Sequence, residues 1–330
     1  MITVYYTNDK QELNVYKSNV VENIYDKVIR KSWIHLTSPT EEEILNITNI
    51  TNIPEATIRM ALDEEESAHI DIDDDVITIV ADMPFLEKDD NYPEINKYYT
   101  APFVIIYNND FFLTICLKEN SIEQAFTSKL MKNIGTHKHI KLTLQLLYRN
   151  ASRFVNYLKI LDKDSEYTQK RLHQAMKNKE LFELMSLAKS LVYLSTGINA
   201  NNIVLERIKR LDAFQKYEDD VDLIEDAIIE TRQAMEMCNI HRDILNGTMD
   251  AFASVISNNV NTVMKTLTVV TIILTIPTLV ASFFGMNVMV PFQKNENGFL
   301  YAMIISIILS SLGAFFLIKY TSGMKKNNKK

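Results

Sequence analysis

Near its C-terminal end the chain carries two long stretches without a charged side chain, and no other feature constrains its fold as strongly. Residues 266–292 contain no Asp, Glu, Lys or Arg, and within them residues 267–284 form an 18-residue apolar run. Residues 299–318 add a second run of 20. A helix needs ~20 such residues to cross ~30 Å of hydrocarbon, so each run is long enough to span a membrane. The connection, residues 288–298, is short and turn-like, with Pro291, Asn295, Asn297 and Gly298. Two spans joined tightly form a hairpin, which puts both termini on one side. Lys319, Lys325, Lys326, Lys329 and Lys330 follow directly, and excess positive charge marks the cytoplasmic flank. The expectation is a two-span protein of the cell membrane with both termini in the cytoplasm.

The formal charge of −7 is unevenly placed: residues 319–330 carry +5, so the remainder carries −12. A body this acidic excludes a nucleic-acid binder, which needs basic surface for phosphates, and suits a protein that handles cations. Apolar residues at 47% supply a packed core. Seven Gly and seven Pro are too few for the turns of a large all-β fold. Cys116 and Cys238 stand alone, so neither a disulfide framework nor a Cys-based zinc site is implied. The opening residues, MITVYYTNDK, lack the basic and apolar regions of a cleaved leader.

Residues 1–139 read as a small α/β domain. Strands are expected at 2–6, 33–36, 76–83, 103–107 and 111–116, the last two joined by the turn Asn108-Asn109-Asp110. One short helix follows Ser38-Pro39, with Glu41, Glu42 and Glu43 suiting its dipole, and another follows Pro54. The run 71–75 reads as a solvated turn before a strand. Residues 140–220 then read as a helical bundle, with helices over 142–176 and 181–214. From 221 to 284 there is one Gly, Gly247, and one Pro, Pro277. The helical period there runs on into the first apolar stretch, as a rod of roughly 95 Å at ~1.5 Å per residue. The alternative is a series of shorter helices broken near Asn239 or Gly247. The organisation expected is thus a stalk over 221–265, a first span over 266–287, an outer loop over 288–298, a second span over 299–318 and a basic tail over 319–330.

The first span has its own pattern. Thr268, Thr271, Thr275, Thr278 and Ser282 are spaced 3, 4, 3 and 4 apart, which places them on one helix face. The stripe continues down to Met264 and Asn261, and up to Gly285 with Asn287 just beyond. Small hydroxyl residues also pack helices against one another, but five on one face favour a water-lined path. One hairpin cannot enclose a pore, so a pore requires a homo-oligomer with this span facing the axis.

At the outer end of this span stands Phe284-Gly285-Met286-Asn287-Val288, followed by a short loop, a last span and a lysine tail. This layout resembles the CorA family of divalent-cation (magnesium) transporters, the two-span proteins with a Gly-Met-Asn motif. The segment 261–270 resembles the family's approach to its first span, and Trp33-Ile34-His35-Leu36 before a Pro and acids matches it more loosely. The resemblance implies an α+β cytoplasmic domain shaped as a funnel, a long stalk helix, a C-terminal two-helix hairpin and a homopentamer. It implies a selectivity filter of Gly285, Met286 and Asn287, with the Asn287 carbonyls holding a hydrated cation. Mg²⁺ sheds water reluctantly, so binding it through its waters suits such a ring. Asn261, Met264, Leu267, Thr268, Thr271, Thr275, Thr278 and Ser282 are expected to line the pore, Met264 and Leu267 forming an apolar gate that closes by dewetting. Asp226 and Asp250 match the family's regulatory positions for cytoplasmic Mg²⁺. Two departures stand out. Residues 289–292 lack an acid where the family often has one, and Arg59 stands where the partner acid of Asp226 is expected.

No nucleotide-binding loop, HExxH or EF-hand pattern is present, and no enzymatic activity is expected. His137 and His139 are too sparse for a site, and Asp219 and Asp220 are expected on a solvated helix face. The reading is a passive channel for Mg²⁺, with Co²⁺ or Ni²⁺ as further cargo, driven inward by membrane potential and gated by cytoplasmic Mg²⁺. Its partners are other copies of itself and membrane lipid, not nucleic acid. The rival readings are a zinc transporter of the ZntB branch and, from another class, a membrane-anchored structural coiled coil.

Overall fold

The computed structural model describes all residues except 9–11, 19–26, 74, 89–95, 119–133, 176–177, 288–289, 292–296 and 328–330. Of the expected outer loop and tail, Met289, Phe292, Lys294, Asn295, Glu296, Lys329 and Lys330 therefore lie outside the described residues. The chain divides into two compact units, Met1–Met249 and Asp250–Lys330.

The first unit is built on a seven-stranded sheet in the order β2-β1-β3-β7-β6-β5-β4. The strands are β1 (Ile2–Thr7), β2 (Leu13–Ser18), β3 (Trp33–Thr37), β4 (His69–Asp73), β5 (Val76–Lys88), β6 (Asn96–Tyr107) and β7 (Phe112–Cys116). Every neighbouring pair is antiparallel except β3 and β7, which run parallel. Alternation along the strands sends side chains to two opposite cores. Tyr5, Trp33, Phe103, Ile105 and Phe112 face one. Val4, Ile34, Leu36, Val104, Leu113 and Ile115 face the other. The second core is closed by α1 (Glu41–Thr51), through Ile44 and Ile47, and by Ile58 of α2 (Glu55–Arg59). The first core is closed by three long helices: α3 (His139–Ala175), α4 (Asn178–Ile208) and the start of α5 (Glu218–Phe284).

Local signals explain these boundaries. Thr40 caps α1 with a capping box, its hydroxyl accepting from the Glu43 N–H while the Glu43 carboxylate accepts from the Thr40 N–H at 2.9 Å. Asn52 ends α1 in the left-handed region at φ 56°. The Asn108 side chain accepts from the N–H groups of Asp110 and Phe111, which makes the expected hairpin turn. The open edge of β5 beyond β4 is closed by asparagines. Asn201 accepts from the Asp82 N–H and donates to its carbonyl, both at 2.8 Å, and Asn150 donates to the same carbonyl at 2.7 Å.

The structure corrects several expectations. Two edge strands, β2 and β4, had no counterpart in the sequence reading. Asp71 and Asp73 belong to β4, paired with Thr78 and Val76, rather than to a turn. Pairing with β5 on one side overrides their poor strand propensity. The bundle helices begin earlier than expected, and the second ends at Ile208, before a 3-10 turn at Asp212–Phe214. Helix α5 starts at Glu218, with Glu218, Asp219 and Asp220 in its first turn, and is unbroken at Asn239 and Gly247.

In the second unit, α5 continues to Phe284, and α6 spans Gly298–Asn327.

Candidate ion-conduction site

Three helices are long and apolar enough to cross a membrane: α4, α5 and α6. Helix α4 has another use for its apolar residues. Leu184, Leu187, Leu191, Leu194 and Ile198 are buried. A Cβ on its Gly197 would lie 2.9 Å from Thr100 and 3.0 Å from Asp82, so bare glycine lets the helix sit directly on β5 and β6. The apolar ends of α5 and α6 have no such cover. Within Gly298–Phe316 the most apolar window is wholly unburied.

Helix α5 meets α6 along one face only. Ile272, Ile273, Ile276 and Pro277 are half-buried and Val280 is buried at 7% exposure. Proline has no N–H to give the carbonyl four residues back, so the Ile273 carbonyl loses its helical donor. Ser310 of α6 fills the gap, its hydroxyl donating to the Ile273 oxygen at 3.5 Å. Nearby, a Cβ on Gly313 would lie 3.0 Å from Ile276 Cδ1. Pro277 is plain in the sequence, but its pairing with Ser310 is not. The usable signal was that a proline within a span demands a hydroxyl from a neighbouring helix.

The stripe residues lie off this contact. Thr268, Thr271, Thr275, Thr278 and Ser282 are all exposed in the single chain, as are Asn261, Met264 and Leu267. The threonine hydroxyls are oriented. Thr268, Thr271, Thr275 and Thr278 donate to the carbonyls of Met264, Leu267, Thr271 and Leu274 at 2.7–3.0 Å. Thr266 donates to Thr262 in the same way at 2.9 Å. Each oxygen therefore turns only lone pairs outward. At the end of the helix the Gly285 N–H donates to the Ala281 carbonyl at 2.9 Å and Met286 to Phe283 at 3.3 Å. Gly285, Met286 and Asn287 are exposed beyond it. Gly285 does not adopt positive φ. A Cβ there would stand 3.3 Å from the Ala281 oxygen, so the glycine serves close approach rather than a left-handed turn.

The regulatory candidates are less converged. Asp226 and Asp250 are both exposed on α5. Arg59 is already committed within its own chain: its guanidinium pairs with Glu41 and, at 2.6 Å, with Glu55. These carboxylates hold Arg59 well above the ordinary arginine range, and Arg59 in turn holds Glu41 below the usual carboxylate range. Among the described residues no group of three or more His, Cys, Asp or Glu side chains converges on a metal position. Asp219 is solvated and pairs with Lys141 at 3.2 Å. Asp220, by contrast, is buried at 6% exposure, a correction to the expected solvated face. The packing of the α5 start against the sheet unit causes the difference.

Comparison with known proteins places this geometry. The family model for the CorA-like Mg²⁺ transporter protein matches residues 30–320. The chain is 23% identical over 296 residues to the cobalt/magnesium transport protein CorA of Methanocaldococcus jannaschii, covering 88% of this chain and 92% of that one. Its fold matches the complete CorA magnesium transporter of the same organism with a TM-score of 0.79 at 22% identity, over 96% of each chain. It also matches full-length CmaX at 0.68 and 13%, over 96% of each chain. The ZntB cytoplasmic domain of Vibrio parahaemolyticus matches at 0.51 and 12%, over 78% of this chain and 97% of that one. The fold is thus shared along nearly the whole length, and the chain belongs to the CorA family of divalent-cation transporters.

Proposed function

We propose that this chain is a Mg²⁺ channel of the cell membrane, passing Co²⁺ or Ni²⁺ as lesser cargo. It assembles as a homopentamer with five copies of α5 around the axis. Residues 266–287 and 299–318 cross the membrane, 288–298 form the outer loop, and both termini lie in the cytoplasm. The observation that carries this reading is the division of α5. Its Ile and Val face is spent on α6, while its hydroxyl face ends at Gly285-Met286-Asn287 and is left uncovered. Uncovered polar residues in a span belong to a water-filled path.

In this reading the five Asn287 side chains hold a hydrated cation at the mouth. Met264 and Leu267, more than half exposed in the single chain at 56% and 58%, close the inner end as an apolar ring. Membrane potential drives entry with ~2.3 kcal/mol per unit charge per 100 mV, about twice that for a divalent ion. Cytoplasmic Mg²⁺ closes the channel by binding near Asp226 and Asp250, where like charges repeated in the oligomer repel until a cation bridges them. Since Arg59 is neutralised by Glu41 and Glu55, it leaves Asp226 accessible rather than capped.

The test is Mg²⁺ flux into proteoliposomes, with and without a membrane potential, beside parallel Zn²⁺ flux. Wild type should carry Mg²⁺ in proportion to the potential. Asn287→Ala should fall to background while the oligomer elutes unchanged. Preferred Zn²⁺ flux, or full Mg²⁺ flux in the variant, overturns the assignment.

A further inference from the structure

Two helix faces of the first unit stay uncovered in the single chain, and their patterns match. On α4, Lys189, Val192, Ile203 and Arg207 are exposed at successive intervals of 3, 11 and 4 residues, which keeps them on one face. On α5, Asp243, Ile240, Ile229 and Glu225 are exposed at the same three intervals, read in the opposite direction. Val192, Ile203, Ile229 and Ile240 are each more than half exposed. Large aliphatic side chains repeated along an open face mark an interaction surface.

The charges on the two faces are opposite in sign. Among the described residues of α4 no acid is exposed: Glu180 and Glu183 are buried, and Glu206 is half-buried and paired with Arg232 at 2.8 Å. Its exposed charges are Lys189 and Arg207, on a body that is acidic as a whole. The α5 face instead carries Glu225, Glu236 and Asp243. Glu225 meets Lys209 of its own chain at 2.8 Å and Asp243 meets Arg242 only at 3.9 Å. A carboxylate has lone pairs enough for a second cation.

The levels also agree. Within the chain α4 and α5 run antiparallel, with Lys209 at Glu225 and the Cys238 thiol donating to the Leu191 carbonyl at 3.3 Å. These contacts put Ile203 level with Ile229, and Val192 level with Ile240, to within about one helical turn of ~5.4 Å. Both faces are open, so they do not meet within one chain. Rotation about an axis along α5 preserves level, and brings a neighbour's α5 to this α4 in the register that the shared spacing requires. Two different faces that fit each other repeat head to tail, and such contacts close into rings.

We infer that the open face of α4 docks on α5 of a second copy. Val192 and Ile203 pack on the partner subunit's Ile240 and the partner subunit's Ile229, while Lys189 and Arg207 meet the partner subunit's Asp243 and the partner subunit's Glu225. The apolar pairs supply area and the charges fix register and partner. The inference rests on the homo-oligomer proposed above and names the surface that builds it in the cytoplasmic unit. Because α5 runs on as the proposed pore helix, each stalk is thereby held by its neighbour's bundle.

The experiment is oxidative cross-linking of the full-length protein in detergent, read on a denaturing gel. The double variant Ile203→Cys, Ile229→Cys should give a ladder of covalent multimers, as should Val192→Cys, Ile240→Cys. Each single variant should stay at the monomer band, since a head-to-tail contact never brings a residue to its own copy. In a second measurement, Lys189→Glu should dissociate the assembly at lower dodecyl sulfate than wild type, and adding Asp243→Lys should restore it. Monomer bands from both double variants, ladders from the single variants, or no rescue by the charge exchange overturns the interface. Full Mg²⁺ flux without a ladder removes this surface and leaves the channel reading standing. A ladder in a protein that carries no Mg²⁺ does the reverse.

Discussion

The two units spend their apolar residues in opposite ways. In Met1–Met249 the sheet buries side chains on both faces and seals its polar interior. Trp33 Nε1 donates to Thr114 Oγ1 at 2.7 Å, and His35 joins the same hydroxyl from its own side at 2.7 Å. In Asp250–Lys330 only Phe252 and Val280 are buried among the described residues, while Leu267, Leu274, Phe283, Phe299, Ile307 and Phe315 are each more than half exposed. A water-soluble surface does not carry that much continuous apolar area. The first unit is finished by its own chain. In the proposed assembly the second is completed by lipid and by further copies of itself, which would make its stability and its activity properties of that assembly.

Perturbations of the two units should therefore be read out differently. The largest effect is expected in the second unit and in flux, not in folding. Met264→Gly or Leu267→Gly should make the channel leak in Mg²⁺-replete proteoliposomes at unchanged melting temperature; reduced flux in both would mean the two residues only pack. Next comes the sheet core. Trp33 is fully buried and stacks on Tyr5 at a centroid distance of 4.4 Å. Trp33→Ala should cost ~3–5 kcal/mol, seen as a lowered melting midpoint by far-UV circular dichroism. A shift of a degree or two would contradict the sealed-core picture.

A smaller effect should come from Asp82, whose pKa burial pushes up to about 6. A carboxyl raised in the folded state binds its proton more tightly there than in the unfolded chain. Its contribution is therefore fully present below the unfolded value near 4 and is lost as pH rises through about 6. Asp82→Asn should stabilise the protein at neutral pH by up to ~3 kcal/mol, with the advantage vanishing in melts near pH 4. An advantage independent of pH would assign the gain to packing. The smallest effect is expected at the helix contact. Ser310→Ala leaves the Ile273 carbonyl without its donor and should cost ~0.6–1.5 kcal/mol, measured as loosened association of the hairpin in graded detergent. Ser310→Thr should restore it.

Much of this was legible in the sequence, for physical reasons that also mark where legibility stopped. Central strands such as β3 and β7 are buried on both faces, and their largely apolar sequences, broken only by His35, Thr37 and Thr114, announce them. The edge strands β2 and β4 carry Tyr16, Lys17, Asp71 and Asp73 toward solvent, so nothing in their composition demands a sheet. They exist because a partner strand offers hydrogen bonds. The hydroxyl stripe of α5 is periodic and was readable residue by residue. Ser310 was not, because its role depends on which helix lies opposite Pro277. Asp219 and Asp220 are chemically identical neighbours in one helical turn, and only tertiary packing makes the first a solvated ion-pair partner and the second a buried residue.

The threonines of α5 carry one more consequence. Water around a cation points its hydrogens outward, and water around an anion points its oxygen outward. With each hydroxyl proton given to the backbone, Thr268, Thr271, Thr275 and Thr278 offer a lumen acceptors and no donors. A hydrated cation finds somewhere to rest its shell at every turn of such a wall. A hydrated anion finds no donor on these four residues. In the proposed pore the sign of the permeant ion would thus be selected by the orientation of water, along a stretch of wall that holds no charge and so would not grip a divalent ion too tightly to release it.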